Sequence, residues 1–226
     1  MNLEEYLYEK NVECPVCGNK FKAIEVKQKA YVVDYRDSDF CVHYKNINPL
    51  LYDVWICQLC GYASLKRTFS DMSFKRAELI KKYITTKWVA KESEKVIDYE
   101  SAIKRFKLAL ISAQISKAKA SEIASICLKI AWIYRFMDNV ENEKQFLQYA
   151  IDKYTEAYLQ ESFPVENLDK TTAEYLIGEL NRRVGNLEEA VTWFNKVMSD
   201  RTASERIMKL CREQWNIVRE KLKINE

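Results

Sequence analysis

The chain has 226 residues, 48% of them hydrophobic and 31% charged, and a formal net charge of +3. That length and apolar share suit one large or two small globular domains with a sizeable core, and so small a net charge gives by itself no argument for a nucleic-acid partner. No apolar run approaches the roughly 18 to 20 residues needed to span a bilayer, and the start, Met1-Asn-Leu-Glu-Glu-Tyr, is acidic rather than signal-like, so no membrane partner and a cytoplasmic location are expected.

In chain order, Leu3, Tyr6 and Leu7 fall at helical spacing and predict a short leading turn. Cys14-Pro-Val-Cys17-Gly18 follows, answered by Cys57-Gln-Leu-Cys60-Gly61 after 39 intervening residues. Two Cys-x-x-Cys-Gly turns predict a tetrahedral thiolate site made by Cys14, Cys17, Cys57 and Cys60. Each turn carries two sulfurs, and its glycine can take the positive φ that aims backbone amides at them. Zinc is the expected metal, with iron as the chemical alternative because paired knuckles of this kind also hold iron in rubredoxin-like sites. The separation exceeds the ~15 to 20 residues of a compact ribbon, so the knuckles must clip together an insertion.

That insertion reads as strands. Phe21 to Val26, Tyr31 to Tyr35, and the alternation Tyr52, Val54, Ile56 are rich in β-branched and aromatic residues. Between the last two lies Arg36 to Pro49, read as a loop holding the only histidine, His43, beside Cys41. Cys41 and His43 are read as packed or outer residues of the metal module. The other reading, an open metal site with Asp37 and Asp39, would make the chain a metal-dependent enzyme. No catalytic constellation is read outside this loop.

From about Ser70 the period becomes 3.6. Ser70 or Asp71 caps a helix bearing Leu79, Ile80, Tyr83, Ile84 and Trp88. Further helices are expected from Ile97, near 119 to 137, around Phe146 to Tyr158, over 171 to 184 and 187 to 198, and finally along Met208, Cys211, Trp215, Val218 and Leu222. Pro164 breaks the pattern, and Gly185-Asn186 closes a helical hairpin. Cys127 and Cys211 lie on apolar faces as buried thiols. Only four glycines occur, at 18, 61, 178 and 185, and neither a Gly-x-Gly-x-x-Gly nor a Gly-Lys-Ser/Thr loop is present, which argues against nucleotide binding by those routes.

The expected fold is therefore mainly α: a small zinc-ribbon-like β module over 1–68, then an α-helical hairpin array over 69–226 with a C-terminal capping helix. Tyr175-Leu-Ile-Gly178, with Ala190 and Phe194, places small residues where two helices approach. It resembles a tetratricopeptide repeat. Cys127-Leu-Lys-Ile-Ala131-Trp-Ile-Tyr134 matches more loosely, 47 residues earlier. Taken with Cys-Pro-x-Cys-Gly, Asp-Phe-Cys-x-His-Tyr and Cys-x-x-Cys-Gly-Tyr-Ala, the chain resembles an uncharacterised family of bacterial cytosolic proteins joining a zinc-ribbon-like module to tetratricopeptide repeats. The resemblance implies fold and metal and no activity.

Three functions are weighed: an adaptor binding a peptide or partner protein in the repeat groove, a nucleic-acid binder, and the enzyme above. Residues 61 to 120 carry 14 Lys or Arg against 6 Asp or Glu, which is the argument for nucleic acid. The adaptor is the expected function, with Leu128, Trp132, Arg135, Tyr175, Glu179 and Arg182 lining a groove for an acidic segment, since arginine beside aromatic rings is common at binding hot spots.

Overall fold

A computed structural model describes residues 3–90, 94–165 and 168–224. The order is a 3-10 turn (Leu3–Tyr6), β1 (Leu7–Glu13), β2 (Lys20–Val26), β3 (Val33–Arg36), β4 (Val42–Tyr44), a 3-10 turn (Pro49–Tyr52), β5 (Val54–Ile56), β6 (Ala63–Leu65), α1 (Phe74–Tyr83), a 3-10 turn (Thr85–Lys87), α2 (Tyr99–Ile115), α3 (Ala120–Phe136), α4 (Val140–Gln160), α5 (Lys170–Val184), α6 (Leu187–Ser199) and α7 (Glu205–Ile224). The fold is mainly α with small N-terminal β hairpins. Among the described residues no helix is long and apolar enough to cross a membrane.

The strands form three antiparallel pairs, β1-β2, β3-β4 and β5-β6. Two strands not expected from the sequence, β1 and β6, complete hairpins whose turns are the cysteine knuckles. Glu13 pairs with Lys20 across residues 14–19, and Ile56 pairs with Ala63 across residues 57–62. The leading helical turn shrinks to the four residues of the first 3-10 turn, because Leu7 onward is drawn into the β1 ladder, where Leu7 faces Val26. His43, expected in a loop, lies on β4.

The chain divides into two compact units. The first comprises residues 1–36, 42–118 and 132–139, so it runs past residue 68 and takes in α1 and α2. Ala77 and Ile80 of α1 are buried in one core with Cys14, Cys57 and Cys60. Along α2, the Arg105 guanidinium donates to the Val54 carbonyl at 2.9 Å, and Ala63 N–H donates to Ser112 Oγ at 3.4 Å. Helix α1 begins later than the expected cap: Ser73 is the N-cap, its hydroxyl accepting from Arg76 N–H, and Trp88 lies beyond the helix end.

The second unit comprises residues 37–41, 119–131 and 140–226. Here α3 starts on a cap borrowed from a distant residue: Ser121 N–H and Oγ donate to the Glu161 carboxylate at 3.0 and 2.7 Å. Asp169 caps α5 by accepting from Thr172 N–H, and Gly185, at φ +100°, ends it. Asn186 N–H returns to the Asn181 carbonyl and Gly185 N–H to Arg182, the paired bonds of a Schellman closure. The α7 stripe then closes the core, with Cys211 and Val218 fully buried and Met208, Trp215 and Leu222 partly so. Cys127 is buried as well, and burial pushes both this thiol and that of Cys211 up to about 12.

Helices α5 and α6 meet at Gly178. A Cβ there would stand 2.8 Å from the Phe194 ring and 3.2 Å from Trp193 Cβ. Phe194 is fully buried, so its ring has little room to yield. Gly178→Ala should therefore lower stability by about 1–2 kcal/mol, the overpacking cost outweighing alanine's better helix propensity. Urea unfolding measures it, and a raised midpoint would show that the hairpin has slack.

Candidate metal centre and the stripe along α5

The two knuckles are built alike. In the first, Cys14 N–H donates to Asn19 O at 2.9 Å and Gly18 N–H to Cys14 O at 2.8 Å. In the second, Cys57 N–H donates to Tyr62 O and Gly61 N–H to Cys57 O, both at 2.8 Å. The glycines make this turn feasible: Gly18 has φ +72° and Gly61 φ +76°, a region that side chains disfavour. Each six-residue loop thus presents two sulfurs from the end of its hairpin.

The knuckles converge. Cys14 Sγ lies 3.6 Å from Cys60 Sγ, Cys17 Sγ lies 3.6 Å from Cys57 Sγ, and all four sulfurs fall within 4.8 Å of one another. Zinc–thiolate bonds of about 2.3 Å in a regular tetrahedron separate sulfurs by about 3.8 Å. The donor set therefore fits one tetrahedral metal ion. Hydrogen bonds from the Cys14 and Cys60 thiols drive the Cys57 thiol strongly down, aided by the amides of Cys60 and Leu59. The same sharing drives Cys60 strongly up, and Cys14, through its bond to Cys57, up to about 12. Such sulfurs can all ionise only around a cation, whose charge offsets their mutual repulsion.

Three of the four cysteines are buried and Cys17 is exposed. Sealing comes from residues outside the knuckles. Asn19 Nδ2 reaches Cys57 Sγ at 3.8 Å. Thr85 Oγ1 donates to the Cys60 carbonyl at 3.0 Å, and the Trp88 indole N–H to the Gln58 carbonyl at 2.7 Å. The Trp88 ring lies directly on Gly61, where a Cβ would come within 2.5 Å of it. Beneath, the fully buried Phe69 gathers Phe21, Trp55 and Tyr62 at centroid distances of 5.9, 5.6 and 4.9 Å. Thr85 and Trp88 are contributors that knuckle spacing could not reveal.

Cys41 is fully buried and its carbonyl accepts from Asp37 N–H at 2.8 Å. The His43 ring stacks on Tyr35, centroids 4.0 Å apart, and meets Phe136 edge-on at 5.1 Å.

Of the six residues expected to line a partner groove, three are buried and three half-buried. Leu128, Tyr175 and Glu179 are 3%, 0% and 0% exposed, whereas Trp132, Arg135 and Arg182 are half-buried. Along α5 the burial has a physical cause: the chain's own residues 38–40 lie there. Ser38 Oγ donates to Glu179 Oε1 at 2.6 Å, and the Tyr175 hydroxyl donates to the Ser38 carbonyl at 2.9 Å. Arg182 grips Glu179 with two bonds of 2.7 Å, while Arg183 reaches Glu179 at 2.9 Å, Ser38 Oγ at 3.2 Å and the Asp39 carboxylate at 3.5 Å. Phe40 packs on the Tyr175 ring at 5.6 Å. Burial, then the nearby Glu179 charge, holds the Tyr175 hydroxyl far above its ordinary range. What the sequence did not reveal is that Ser38 and Asp39 meet Arg183 on α5, since nothing local links a loop to a helix about 140 residues later.

Substitution at the two knuckle glycines should separate strain from occlusion. Gly18→Ala meets no atom within 4 Å and should cost only the left-handed backbone penalty, about 1–2 kcal/mol. Gly61→Ala bears the same penalty and must also expel Trp88, so its thermal midpoint should fall further and its tryptophan emission should shift. Equal midpoints would show that Trp88 contributes nothing to the seal.

No curated protein matches the chain. A family model does match, over residues 7–218. The chain belongs to the family described as "Uncharacterized protein conserved in bacteria (DUF2225)".

Proposed function

We propose that Cys14, Cys17, Cys57 and Cys60 hold one zinc ion as a structural centre, and that the protein is a zinc-stabilised adaptor whose tetratricopeptide-like helices take a short segment of a partner protein. Four protein thiolates leave zinc no open position for a substrate, which favours a structural over a catalytic ion. Zinc is preferred to iron as the default ion for such a shell.

The adaptor reading rests on one observation: α5 grips a short acidic segment, residues 38–40, through Arg183, a glutamate and a tyrosine. A helix face built to hold such a segment is the chemistry a peptide-binding adaptor needs. A second reading, nucleic-acid binding, draws on exposed Lys75, Lys82 and Lys87 along α1 and the turn after it, and a steep loss of affinity with salt would reveal it.

Metal analysis of the purified protein should find one zinc per chain, and Cys57→Ser should lose it. A folded, metal-free wild type, or visible thiolate-to-iron absorbance from a stoichiometric iron, overturns the zinc assignment. Removing the metal with a chelator should strip hydrogen-exchange protection from both knuckles, β5, β6 and α1, whose Ala77 and Ile80 share the sulfur core, while α6 and α7 keep theirs. For the adaptor, affinity capture from bacterial cytosol should yield a specific protein that Arg182→Ala fails to retain; equal recovery by that folded variant would remove α5 from the interaction.

A further inference from the structure

The segment on α5 and the face it covers are matched in charge. Asp39 and Glu179 are both fully buried, and Arg182 and Arg183 answer them with side chains 15% and 20% exposed, so the four charges cancel. Without residues 38–40, α5 alone would present Arg182 and Arg183 against the single carboxylate of Glu179, an uncompensated positive charge beside the Tyr175 ring. Glu179 would still be held by both arginines, at 2.7 and 2.9 Å, so the face does not depend on the segment for its own order.

The segment, by contrast, is held in a conformation it would not choose. Phe40 sits at φ +71°, a region disfavoured for a bulky side chain, and is kept there by its ring contact with Tyr175 and by a turn in which Phe40 N–H donates to the Asp37 carbonyl at 3.0 Å. Strain in the occupant and self-sufficiency in the face together describe a docked peptide that can leave.

We infer that the α5 stripe is a peptide-docking site occupied by the chain's own Ser38-Asp39-Phe40, and that its partner is a protein segment presenting a hydroxyl, a carboxylate and an aromatic ring in that order. This rests on the adaptor reading and names its partner's chemistry. The hydroxyl takes the place of Ser38 between Glu179 and Arg183, the carboxylate that of Asp39 on Arg183, and the ring that of Phe40 on Tyr175. Tethering gives the internal segment an effective concentration of order millimolar, so an outside peptide competes poorly until the internal one is weakened.

The test uses the full chain and a fluorescein-labelled peptide, Arg-Asp-Ser-Asp-Phe-Ser-Val, read by anisotropy. The double variant Ser38→Ala with Asp39→Ala should bind it at least tenfold more tightly than the wild type. That gain should vanish when Arg183→Gln is added or when the peptide's second aspartate is replaced by asparagine. Equal affinity for the wild type and the double variant, with zinc content and circular dichroism unchanged, overturns the inference. So does a gain that survives both controls. If the double variant fails to fold, Asp39→Asn, which keeps the side-chain volume, serves in the same comparison with a gain of a few-fold expected and no gain fatal. Should exchange fail while cytosolic capture still depends on Arg182, the adaptor reading stands and only the internal occupancy is functionally inert.

Discussion

The convergence of four sulfurs from two hairpin turns is the constraint on which the first unit depends. A two-stranded hairpin is marginal in water by itself, and β1-β2 and β5-β6 are each only two-stranded. Their turns meet at S–S distances of 3.6 Å, and the core that surrounds those sulfurs also contains Val12 and Ala23 from one hairpin, Trp55 from the other, and Ala77 and Ile80 from α1. A metal ion held by these sulfurs would tie the two turns together directly in front of the apolar core that both hairpins share.

Much of this was legible because the signals were local. Cys-x-x-Cys-Gly identifies a knuckle through the sulfur spacing and the glycine φ, and both glycines have the positive values that the motif requires. Helices with an apolar period of 3.6, the Pro164 break and the Gly185 closure are of the same kind. Strands β1 and β6 were hidden for a physical reason. In β1 only Val12 is buried, so Leu7 to Glu13 carries no alternation to read, and β6 is three residues, too few for a period to register. The sealing of the second knuckle by Thr85 and Trp88, 25 and 30 residues from their carbonyl partners, is a tertiary fact that no local window contains.

The α5 stripe shows the opposite failure. Tyr175, Glu179 and Arg182 fall on one face, since steps of 4 and 3 place them together, yet a helical period cannot say whether a charged face meets water or another charged segment. Burial of Glu179 without loss of charge requires donors on both oxygens; Arg182 reaches both, and Ser38 and Arg183 meet Oε1. An ionised pair in such a setting contributes less to net stability than its Coulomb attraction suggests, because desolvation offsets it. What it does contribute is register: only a segment with a hydroxyl and a carboxylate at adjacent positions satisfies the same donors.

Register explains why a phenylalanine can be held at φ +71°. The backbone of residues 38–40 is fixed on one side by Asp37 and Cys41, whose N–H and C=O pair at 2.8 Å, and on the other by the Tyr175 hydroxyl on the Ser38 carbonyl. With both sides bound, the left-handed conformation at Phe40 keeps its ring on Tyr175 while Asp39 stays beside Arg183. Strain that is over-determined in this way is stable as long as every contact holds, and it is released as a unit when the carboxylate contact is lost. The polar contacts of residues 38–40 and the strained Phe40 therefore depend on one another.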